Sequence, residues 1–110
     1  MRGDIPDCVS ATSDGAYVQV RYSDGRCDLK MAMPDGRRVE SVIISPWHIV
    51  AMSERSIGAW TIDGEYACTV MFQAEIDAIE FVDQSTFFAC TRDGVAMHVC
   101  VETGKLSLVE

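Results

Sequence analysis

The chain has no apolar run near the roughly 18 residues that a membrane-spanning helix needs, so no membrane partner is expected. Residues Met1 to Asp7 carry no hydrophobic signal region, and a cytoplasmic location is the matching expectation. No Cys-x-x-Cys pair occurs. The five cysteines (Cys8, Cys27, Cys68, Cys90, Cys100) are odd in number and irregularly spaced, and the only histidines, His48 and His98, do not stand at zinc spacing. The sequence therefore shows neither a disulfide framework nor a metal site, and implies no cofactor. Its thiols, set in apolar runs, read as small hydrophobes. Basic residues are few, 9 against 17 acidic, and the net charge of −8 makes nucleic acid an unfavourable partner while keeping the chain soluble. There is no Gly-rich phosphate loop and no Ser-centred nucleophile motif. Five Asp-Gly pairs occur, but ten or more residues apart, whereas a calcium loop needs clustered oxygen ligands. Arg2-Gly3-Asp4 matches an integrin-type tripeptide and reads as a chance match.

What is present is repetition. Thr91 to Leu106, T-R-D-G-V-A-M-H-V-C-V-E-T-G-K-L, runs as a turn, an apolar strand, a second turn and the start of another strand. Asp93-Gly94 is expected to form a two-residue hairpin turn of the primed type. Val95 to Val101 is apolar or small on both faces, the pattern of a strand covered on both sides. Weaker copies surround Trp60 and Val20. Val20, Trp60 and Val99 hold the same place in the three copies, 40 and 39 residues apart. A period near 40 with strand-turn-strand content is that of a propeller blade.

D-G-V-A-M-H-V-C-V-E-T-G-K resembles the third and fourth strands of a WD repeat, which usually show D-G-x-I-x-V-W-D-x-x-T-G. Val99 stands at the place of the Trp and Cys100 at that of the Asp; the middle copy keeps Trp60 and has Thr61 for the Asp. No Gly-His pair precedes any copy. W-T-I-D-G-E also resembles, weakly, blades of BEACH-domain proteins, which would make the chain part of a larger trafficking or scaffolding protein. The resemblance implies an all-β fold of antiparallel four-stranded WD-like blades, about three of them with the first incomplete: a partial propeller.

Turn signals divide residues 1–110, read as one domain, into blade-like units 7–33, 39–72 and 76–109 with three, four and four strands. The absent strand is the first of the first unit. In a meander, alternate turns lie at opposite ends, so second-to-third-strand turns share an end with the links between units. That gathers Arg37, Arg38, Arg55 and Arg92 at one end as the candidate partner-binding residues. Asp24, Asp63, Glu65, Asp83 and Glu102 fall beside Trp47 at the other. The expected function is a non-catalytic protein–protein interaction scaffold, not an enzyme, completed by self-association or by a protein partner. An open stack leaves two blade faces exposed, so an oligomer is expected, for instance two copies closing a six-blade ring. The alternative is a small thiol- or His-dependent enzyme on a closed β-barrel or sandwich, with Cys90 or Cys100 beside a histidine as the nucleophilic pair; Cys100 and His98 share a strand face.

Overall fold

A computed structural model describes residues 9–22 and 28–109. Arg2-Gly3-Asp4, Cys8, the Asp24-Gly25 turn and Cys27 lie outside the described residues. Gly, Pro and Asp punctuation cuts the described residues into eleven short strands. They are β1 (Val9–Asp14), β2 (Tyr17–Tyr22), β3 (Leu29–Ala32), β4 (Ser41–Ile44), β5 (His48–Met52), β6 (Ser56–Thr61), β7 (Tyr66–Met71), β8 (Ile76–Phe81), β9 (Thr86–Thr91), β10 (Ala96–Cys100) and β11 (Leu106–Leu108). The protein is all-β, and no helix occurs among the described residues. Three antiparallel meanders follow in chain order: β1-β2-β3, β4-β5-β6-β7 and β8-β9-β10-β11.

The sheets stack face to face. Alternation along each strand sends one set of side chains to each neighbour. Val18, Val20 and Tyr22 of the first sheet pack with Ile49, Ala51 and Trp60 of the second. On its other face the second sheet sends Val50, Met52, Ile57, Ala59, Cys68 and Val70 against Phe87, Ala89, Val99 and Val101 of the third. Every residue of β5, and β6 up to Trp60, is therefore buried. The turns interlock as well. Gly64 lies against Leu29 of β3, and Gly104 against Cys68 and Val70 of β7, so the last strand of each of these sheets is covered by the next sheet's last turn.

Backbone hydrogen bonds align the sheets. Phe72 and Ile76 N–H groups donate to the carbonyls of Arg55 and Glu54, in the β5–β6 turn. Met33 and Val39 donate likewise to Ala16 and Gly15, in the β1–β2 turn. So β1-β2-β3 match β5-β6-β7, and among the described residues the first sheet has no strand that matches β4 and β8.

Three expectations are corrected. The Asp93-Gly94 turn is not of the two-residue primed type, which needs φ > 0 at the first central residue or at both. Only Gly94 has it, at +90°, and the Asp63-Gly64 turn is built the same way, with Gly64 at +93°. Thr61 N–H donates to Glu65 O and Thr91 N–H to Val95 O, both at 2.8 Å, giving three-residue loops closed by a left-handed glycine. Second, Val20 does not match Trp60. Val20 pairs with Ala11 as Ala59 pairs with Val50, while Trp60 and Val99 pair with Ile49 and Phe87; the counterpart of Trp60 is Arg21. A shift of one residue turns a side chain to the other face of the sheet. Third, the stack does not end in two similar apolar faces. Where the second sheet has Ile49, Ala51, Gly58 and Trp60, the first has Ser10, Thr12, Gln19 and Arg21.

Candidate functional site

The links between sheets and the second-to-third-strand turns do share one end, and each candidate arginine is held there by fixed backbone. Arg37 and Arg38 lie in the link from β3 to β4. That link is tied down by Gly36 N–H to Met33 O at 3.0 Å and by Val39 N–H to Gly15 O and Glu40 N–H to Met52 O at 2.8 Å. Arg92 starts the β9–β10 turn, its N–H donating to Glu75 O at 2.8 Å. Arg55 lies in the β5–β6 turn, where its carbonyl accepts from Phe72.

Arg37, Arg38 and Arg92 line one cleft of about 490 Å³ with Glu40, Glu54, Glu75 and Ile76. Arg55 is exposed next to Glu54 but does not line the cleft. Two of the three guanidiniums are paired: Arg37 with Glu54 at 3.5 Å and Arg92 with Glu75 at 2.5 Å. Both pairs are solvated, and such pairs contribute about 0–1 kcal/mol. They orient the side chains more than they stabilise the fold. The side chains of Arg38 and Arg55 have no ion pair or hydrogen bond among the described residues. Glu54 was legible as a neighbouring acid. The parts played by Glu40 and Glu75 were not, because the chain brings them in from separate links.

One wall of the cleft is pinned from beneath by a polar cluster that the sequence reading did not foresee. Ser53 and Ser56, both fully buried, share a 2.8 Å hydrogen bond, and Ser53 Oγ donates to Asp35 Oδ2 at 2.6 Å. Arg37 N–H donates to the other Asp35 oxygen at 3.0 Å. Partial burial raises the Asp35 pKa, but the hydrogen bonds from Ser53, the Arg37 backbone and Ser56 outweigh it and hold it below the ordinary 3.8. The carboxylate thus fixes the link carrying Arg37 and Arg38 to the second sheet.

His48 stands apart in the second sheet, whereas Cys90, His98 and Cys100 share one face of the third. The His98 ring meets Phe88 edge-on, with centroids 6.3 Å apart. Hydrogen bonds from Thr103 and the Glu102 backbone lower the pKa of the half-buried Cys100 thiol, whereas burial raises that of Cys68. His48 opens β5 in the core, its chain turned by Ser45 Oγ, which accepts from Trp47 and His48 N–H. Its Nδ1 has no hydrogen-bond partner among the described residues. No group of three or more His, Cys, Asp or Glu able to hold a metal occurs among the described residues. No helix there is long and apolar enough to cross a membrane. Neither a family model nor a curated protein matches the chain.

Proposed function

We propose that the chain is a non-catalytic protein-interaction scaffold of the cytoplasm, built from WD-like blades, that takes its protein partner at the arginine end. The observation that carries this reading is the convergence of Arg37, Arg38 and Arg92 on one cleft, with Arg38 and Arg55 left unpaired among the described residues. Each free guanidinium keeps five N–H donors, and arginine is enriched among the residues that dominate interface energies. The partner surface that fits is one presenting carboxylates, which guanidinium forks grip in bidentate fashion. Rigid walls support the reading, since turns held by a packed scaffold are where binding residues concentrate. Three consecutive meanders stacked face to face support the blade reading. The free thiols of Cys68, Cys90 and Cys100 suit a reducing cytoplasm.

The test replaces Arg37, Arg38, Arg55 and Arg92 together by Ser and compares partners recovered by pull-down. Loss of a hot-spot cluster weakens capture more than about tenfold. Unchanged recovery of every partner overturns the reading. A thiol-dependent enzyme is the second reading, favoured by the lowered pKa of Cys100 on the sheet face it shares with His98. It requires Cys100 to be alkylated faster than Cys90 at neutral pH, and equal rates dismiss it.

A further inference from the structure

The two outer faces of the stack differ in chemistry, and the difference restricts how copies of the chain can meet. The first sheet ends in Ser10, Thr12, Gln19 and Arg21, with Lys30 paired to Asp14 at 2.8 Å and placed over the Tyr17 ring. Packing a sheet on that face would take hydroxyl and charged groups from water without partners. The third sheet ends differently. Where the second sheet carries Val50, Met52, Ile57 and Ala59, which it buries against the third, the third carries Phe88, Cys90, Ala96 and His98 on its outer face. These four are half-buried, and β9 alternates strictly between them and the core.

We propose, on the basis of the scaffold reading above, that the chain self-associates by laying this outer face of the third sheet against the same face of a second copy. The two-fold axis runs along β9. A head-to-tail ring would press Phe88 and His98 onto Arg21 and Gln19, and the polar face disfavours it. A two-fold contact needs one self-complementary patch instead. Strand register supplies that patch: Glu80, Phe88 and His98 form one row across β8, β9 and β10. Neighbouring strands lie about 4.8 Å apart, so Glu80 and His98 are equally far from Phe88 on opposite sides. Rotation about an axis along β9 sets Phe88 on the partner's Phe88, and sets each Glu80 carboxylate opposite the partner's His98 imidazole. The small Cys90 and Ala96 let the two sheets approach. The edge-on contact between His98 and Phe88 holds the ring in the row.

Sedimentation equilibrium of the full chain over a wide concentration range tests this. A monomer–dimer equilibrium is expected. His98→Glu, which opposes two carboxylates in each pair, should weaken it at least tenfold, and Glu80→His with His98→Glu should restore it. Phe88→Asp should abolish it, with far-UV circular dichroism confirming that the fold is kept. Arg21→Glu, on the first sheet, should leave the equilibrium unchanged. A chain that stays monomeric at every concentration, including one whose Phe88 face is covered by a different protein, overturns the proposal. So does a dimer indifferent to the Glu80/His98 exchange, or one lost in Arg21→Glu. None of these outcomes bears on partner capture by the arginines, which is scored separately in the four-Ser variant.

Discussion

Trp60 shows how one side chain joins two sheets. It is 4% exposed, and its ring lies across Gly58, where a Cβ would come within 2.8 Å of the ring Cη2 and 3.0 Å of Pro34 Cδ. Proline, glycine and tryptophan form one contact because the link to the second sheet passes over β6. Trp60→Ala removes a buried aromatic, and a loss of about 3–5 kcal/mol is expected. An unchanged urea midpoint would mean that the ring carries no packing energy. Gly58→Ala should also destabilise, by roughly 1–3 kcal/mol, since overpacking displaces either the indole or the proline ring. Thermal unfolding of both variants separates the cavity from the clash, because only Gly58→Ala retains the native indole.

Links and turns decide where chemistry can gather. The link of residues 33–40 is held by Asp35 on Ser53, and the folded Asp35 pKa lies below the ordinary 3.8. A group with a depressed folded pKa stabilises fully above its unfolded value and loses that contribution as pH falls through the folded one. Ser53→Ala should cost about 1–3 kcal/mol near neutral pH. The gap from the native chain should shrink as pH falls below 3.8. Urea midpoints of the two proteins at several pH values check it, and a gap constant with pH would mean that the carboxylate is not the partner that matters. The turn at Gly94 makes a second prediction. Its φ is +90° with open space around the Cβ position, so Gly94→Ala should cost about 1–2 kcal/mol from backbone strain alone.

For the molecule as a whole, the polar outer face of the first sheet caps the stack. Repeat arrays need such caps to stay soluble. Replacing Ser10, Gln19 and Arg21 together by Val would turn the cap into a second stacking face, so that copies joined through their third sheets could also join through their first. Two different contacts on one chain that do not close give open filaments. Light scattering should therefore rise steeply with concentration in the triple variant and stay low in the native chain; equal scattering would show that the cap does not limit growth.

The eleven strands were legible because their signals are local: alternation of apolar residues, and Gly or Pro where the chain must turn. The end at which Arg37, Arg38, Arg55 and Arg92 lie was legible too, since a meander alternates its turns by rule. The face on which Val20 lies was not, because a one-residue shift keeps the apolar pattern and reverses every side chain. Nor could spacing reveal that Asp35 would find Ser53, or that Glu54 and Glu75 would take two of the arginines. Those pairs are long-range or cross from one turn to another, and only the stacking of the sheets brings them together. The same stacking decided which surface remains: one sheet ends in Ser10, Gln19 and Arg21, the other in Phe88, Cys90 and His98. Side-chain identities along a strand state what could be buried. Whether a face is buried depends on which sheet lies next to it, and that is a property of the folded chain.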